Sequence, residues 1–105
     1  MIDHSNWSDV ATADNAAATA TRAVPETGSH YITSVSGGYT STKSGLTLIL
    51  KEGTTELQRW YVYDSFALAL DKPIKLSPGT VANLVLAASG TGGVSGTANM
   101  TGYSK

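Results

Sequence analysis

Leu46-Thr47-Leu48-Ile49-Leu50-Lys51-Glu52-Gly53-Thr54-Thr55-Glu56-Leu57-Gln58-Arg59-Trp60-Tyr61-Val62-Tyr63 reads as two strands joined by a turn. Leu46, Leu48 and Leu50 alternate with Thr47, Ile49 and Lys51, so one face is apolar and the other is partly so. Period-two alternation is the mark of a strand, because successive side chains point to opposite faces. Glu52-Gly53-Thr54-Thr55 supplies the turn, since glycine reaches backbone angles that close a hairpin without strain. Residues 56–63 complete the pair. One face carries Leu57, Arg59, Tyr61 and Tyr63, and the other carries Gln58, Trp60 and Val62. Neither face is cleanly polar. One is expected to meet the core and the other a second surface, and the sequence does not say which.

The same punctuation recurs along the chain. Ala16 to Val24 alternates small apolar residues with Thr19 and Thr21 and stops at Pro25, which favours a strand over a helix. Ser29 to Ser36 reads as the next strand, closed by Gly37-Gly38. Phe66, Leu68 and Leu70 are in phase, and Pro73 confines its strand to a start or an edge. Ser77-Pro78-Gly79-Thr80 is a turn with Pro and Gly in favourable order. Residues 81–89 and 94–103 read as two more strands, separated by the flexible Ser89 to Gly93 loop. The sum is about eight short strands with breaks roughly every ten residues, the spacing of an all-β sandwich or barrel. The expected fold is an antiparallel β-sandwich of jelly-roll type, with no convincing helix.

Residues 1–15 are the least regular stretch. They hold Asp3, Asp9 and Asp14 with no Lys or Arg, and widely spaced apolar residues at Ile2, Trp7 and Val10. They read as an extended arm, and residues 16–105 as the sandwich domain. The arm is acidic, while the remaining five acids and seven bases make the body mildly basic. A ring as large as Trp7 is wasted in a frayed tail. The arm is therefore expected to dock, on its own body or on a neighbour.

Composition narrows the function classes. The 105 residues make one domain's worth of chain, with a formal charge of -1. A protein that binds nucleic acid by neutralising phosphates carries a basic excess, and this chain has none. Cysteine is absent, which excludes disulfide frameworks, thiolate zinc sites and cysteine nucleophiles. No apolar run approaches the roughly 18 residues of a membrane-spanning helix. Met1 to Asn6 lacks the basic and apolar regions of a secretion leader.

Catalytic groupings are sparse. His4 and His30 are the only histidines and lie on different elements; a zinc site would need both, with a carboxylate brought in by folding. Ser95, in Gly93-Val94-Ser95-Gly96, is the nearest approach to a nucleophile motif, but no helix follows it. Glu52 and Glu56 flank a turn, and Asp64 and Asp71 bracket the Phe66 strand, where carboxylates ordinarily cap or face solvent. Gly90 to Gly93 lacks the lysine and the strand-to-helix setting of a phosphate loop. No enzyme, cofactor or metal is expected.

The richest cluster is Arg59, Trp60, Tyr61 and Tyr63. Aromatics beside an arginine serve protein interfaces, sugar platforms and single-strand grooves alike, and half of them can instead be core. With the arm residues Ile2, Trp7, Asp9 and Val10, they form the candidate interface. Two non-polar faces on the 56–63 strand exceed what one small core absorbs, which points to self-association.

From His30 onward the order of motifs resembles a group of small phage virion proteins. Tyr31-Ile32-Thr33-Ser34 matches an early strand of that group. The hairpin from Leu46 to Trp60 follows, then Pro73-Ile74-Lys75 with Gly79-Thr80, and the close from Val94 to Thr101-Gly102-Tyr103. The resemblance covers about residues 29–104 and leaves the arm outside. It implies a capsid decoration, or cement, protein on the virion surface, made in the bacterial cytoplasm. The implied partners are the major capsid protein and the chain itself as a homotrimer, with no direct nucleic-acid or membrane contact. A carbohydrate-binding or adhesion module on the virion, or a tail or neck subunit, is the alternative on the same fold.

Overall fold

The computed structural model describes residues 5–41 and 45–105, with Ser5 described by its backbone. Eight strands follow in chain order: β1 (Ser5–Asp14), β2 (Ala18–Arg22), β3 (His30–Tyr39), β4 (Leu46–Glu52), β5 (Thr55–Val62), β6 (Ser65–Lys75), β7 (Ala82–Leu86) and β8 (Ser95–Ser104). They form two four-stranded antiparallel sheets, ordered β1-β8-β3-β6 and β2-β7-β4-β5. Every connection except the β4–β5 hairpin passes from one sheet to the other. That order is the jelly roll expected from the sequence.

The leucine alternation sets the core. Leu48 and Leu50 of β4, and Ala82, Leu84 and Leu86 of β7, are fully buried. Facing them from the other sheet are Ile32 and Val35 of β3 and Ala98 and Met100 of β8. Glycine lets neighbouring strands approach where a side chain would intrude. A Cβ at Gly102 would sit 2.2 Å from the Tyr31 carbonyl oxygen. Gly53 takes the positive φ of 60° that the β4–β5 turn requires.

Three local expectations change. The N-terminal segment is extended but not separate from the body: β1 pairs with β8 along its whole length, from Ser5 opposite Ser104 to Asp14 opposite Ser95. Its Trp7, Ala11 and Ala13 pack against the core. Wide spacing of apolar residues hid this strand, because Ala11 and Ala13 are small and Val10 faces outward. For residues 5–14 the boundary drawn at residue 15 therefore does not divide arm from domain. Second, β3 does not end at Gly37-Gly38 but runs through them to Tyr39. At Gly37 an added Cβ would already touch Leu48 and Leu86, so glycine here serves close packing instead of a break. Third, the Phe66 and Ile74 segments are one strand, β6, at a sheet edge. Its pairing with β3 jumps between Ile32 opposite Ile74 and Ser34 opposite Ala69, so residues 70–73 make an excursion that contains Pro73. An edge position tolerates the missing proline N–H, as the sequence required.

Candidate functional site

The β4–β5 hairpin resolves which of its faces is core. Leu48 lies opposite Trp60 and Leu46 opposite Val62, so Trp60 and Val62 turn inward, while Gln58 nearer the turn is exposed. Val62 is fully buried, and Trp60 packs on the core with its ring 6.1 Å from that of Phe66. The register slips at Leu50, where Gln58 and then Glu56 face consecutive β4 residues and Leu57 becomes the extra residue of a bulge. The bulge moves Leu57 out of the phase it shares with Arg59 in a regular strand and lets it reach the core.

Arg59, Tyr61 and Tyr63 are left on the outer face. Tyr61 is 56% and Tyr63 61% exposed. Beside them on β4 stand Thr47, opposite Tyr61, and Ile49, opposite Arg59. Ile49 is also paired with Val85 of β7. The result is a surface of Tyr61, Arg59, Thr47, Ile49 and Val85, with the exposed Tyr63 just past the end of β5, its ring beside Gly45. Ile49 and Val85 were not singled out from the sequence. Their signal was present as aliphatic residues out of phase with Leu48, Leu50, Leu84 and Leu86.

Arg59 is held by a two-pronged contact with Glu56, at 3.0 and 2.7 Å. The Arg59 guanidinium, by its hydrogen bond first, holds the Glu56 carboxyl below its usual range. Glu56, and after it the Tyr61 hydroxyl, raises Arg59 in turn. Both partners are solvent-exposed, so this pair orients the arginine and adds little stability.

The N-terminal candidates divide. Trp7 is engaged within the chain. Its Nε1–H donates to Ser104 Oγ at 3.0 Å, its ring meets His30 edge-on at 5.4 Å, and the Arg22 guanidinium lies 4.9 Å from the ring centre. Asp9 accepts a 2.9 Å bond from Arg22 Nε. Trp7 and Asp9 are thus structural ties between β1 and the body. Val10 is 63% exposed. Ile2 and His4 lie outside the described residues.

His30 is the hub of this end of the sandwich. It is 2% exposed. Its Nε2 lies 2.7 Å from the Ala23 carbonyl and its Nδ1 2.6 Å from Ser104 Oγ. A carbonyl only accepts, so Nε2 carries the hydrogen and donates it. With Nε2–H as the ring's single hydrogen, Nδ1 accepts from the Ser104 hydroxyl, whose oxygen accepts from Trp7. Every polar atom of the trio is used, which makes it a structural tie. A cleft of about 580 Å³ opens beside it, walled in part by Trp7, Arg22, Val24, Pro25 and His30.

Two further carboxylates are engaged in local structure. Glu52 accepts from the Ser77 N–H and hydroxyl, both at 2.9 Å, and Asp14 accepts from Gly93 N–H at 3.0 Å. Ser95 begins β8, where its N–H donates to Thr40 Oγ1. In the glycine loop, Ser89 Oγ bonds the Val94 carbonyl at 2.8 Å. Among the described residues no three His, Cys, Asp or Glu side chains cluster as metal ligands would, and no helix is long and apolar enough to cross a membrane.

Comparison with family models, with curated proteins and with solved structures finds no match to this chain.

Proposed function

We propose that the protein is a non-enzymatic virion structural subunit, a capsid decoration protein that binds the outer surface of a phage shell. The observation that carries the reading is the exposed Tyr61 beside Arg59, Ile49 and Val85 on one sheet face, with the exposed Tyr63 just past the strand end. Exposed tyrosines flanked by aliphatic residues and an arginine have the composition of a protein-interface core. The order of motifs that resembles small virion proteins supplies the class of partner, the major capsid protein. The fold hosts viral and lectin domains alike and does not choose between them. Binding through a detached acidic arm drops out of the proposal, because Trp7 and Asp9 are spent within the chain.

A second reading has support from the same pair. Two exposed tyrosines beside Arg59 are also a stacking platform for sugar rings, as in a carbohydrate-binding module. The two readings separate by ligand. Tyr61→Ala combined with Tyr63→Ala is expected to weaken binding to undecorated shells by about 2–4 kcal/mol, roughly 30- to 1000-fold. Thermal stability should stay within about 0.5 kcal/mol of the parent, because both side chains are exposed. Co-sedimentation with shells and a melting curve measure the two quantities. Unchanged shell binding by the double variant would remove this face from the proposal, and glycan binding without shell binding would favour the sugar platform.

A further inference from the structure

We infer that the free edge of β6 pairs with the β6 of a second copy, antiparallel and centred on Leu68. The inference does not rest on the shell-binding reading and uses a different surface.

Among the described residues, β6 closes one edge of its sheet and pairs only with β3. An unpaired edge offers a row of N–H and C=O groups to any extended partner. Soluble proteins blunt such edges with charges or proline. From Ser65 to Leu70 this edge has neither: the run is Ser65-Phe66-Ala67-Leu68-Ala69-Leu70. Its side chains are incompletely covered. Leu68 is 36% exposed although it lies opposite the buried Val35, and Phe66 and Leu70 are only half-buried against the core.

The occupant follows from the order of residues. In an antiparallel self-pairing about Leu68, Leu68 faces its own copy, Phe66 faces Leu70 and Ala67 faces Ala69. Large residues meet large ones on the core side, and alanine meets alanine on the outer side. The regular part of the strand, Ser65 to Ala69 opposite Gly38 to Ser34, carries no charge to oppose this pairing. Such size complementarity is what an isologous interface requires, because one surface must fit itself. Cross-strand pairs of this kind are the unit of sheet stabilisation. The product is a continuous eight-stranded sheet through two copies, with the half-covered Leu68 enclosed. Three-fold association leaves this edge without its matching partner.

The test uses the full chain. Sedimentation equilibrium at micromolar concentration is expected to give twice the 10.9 kDa chain mass. Leu68→Cys then reads the register, since the native chain has no cysteine. Facing residues of an antiparallel pair sit about 4.5–5.5 Å apart at Cα, within disulfide reach of about 4.4–6.8 Å. Under mild oxidation Leu68→Cys should form a covalent dimer at least about tenfold faster than Ala69→Cys, whose partner position is residue 67. Leu68→Lys, which sets two like charges face to face at the centre of the pairing, should abolish the dimer. Circular dichroism verifies that each variant is folded. A monomer, a three-copy mass, or equal cross-linking at the two cysteine positions would overturn the proposal.

Discussion

A chain that begins at residue 15 is expected not to fold. Removing β1 takes away the entire ladder to β8 and turns β8 from a central strand into an edge. Trp7, Ala11 and Ala13 leave the core wall. Four side-chain cross-links also go: Trp7 to Ser104, Thr12 to Thr97, Arg22 to Asp9, and Gly93 N–H to Asp14. Loss of the Trp7 packing alone costs about 3–5 kcal/mol on the scale of large aromatic truncations. That is a large fraction of the roughly 5–15 kcal/mol that holds a domain of this kind together. The exposed β8, rich in Ser, Thr and Gly, would be open to pairing with other chains. The truncated chain should therefore appear in aggregates and show no cooperative melting transition. A soluble truncated body with a sharp transition would restore the view of residues 1–15 as a detachable arm.

His30→Ala is the single substitution with the next largest expected effect. The ring is 2% exposed and both its nitrogens are bonded. Alanine leaves a cavity, an unpaired Ala23 carbonyl and a Ser104 hydroxyl without its acceptor. The cavity and the stranded carbonyl together are worth about 2–4 kcal/mol. In a domain of this size each kcal/mol lowers Tm by about 4–8 °C. His30→Gln, which keeps one donor and one acceptor, should recover part of the loss. Calorimetry of the two variants measures the difference. If alanine and glutamine melt together, the hydrogen bonds contribute nothing beyond volume. An unchanged melt for both would deny His30 its structural role.

Much of the fold was legible because one physical signal repeats. The period-two leucines at 46, 48 and 50 and at 84 and 86, the turn at Gly53 and the turn at Pro78-Gly79 gave strands and breaks directly. What was hidden depended on partners far along the chain. β1 became recognisable only when set against β8, where Ala11 finds Ala98 and Trp7 finds Gly102. Gly37 looked like a stop because a sequence does not show that Leu48 and Leu86 lie against it. The candidate surface was half legible. Arg59, Tyr61 and Tyr63 were named together, but their separation from Leu57 required a bulge set by the pairing of Lys51 with Glu56. The His30, Ser104 and Trp7 trio was out of reach, since its members stand 74 and 97 positions apart.

The most direct test of the proposed decoration role is a cryo-electron microscopy map of undecorated phage shells incubated with the protein and compared with bare shells. The expected result is added density that fits the two-sheet body, seated on the outer surface with the Tyr61 face of β5 and the adjoining Tyr63 against the shell. Shells without added density at saturating protein, or density that turns this face away from the shell, would contradict it.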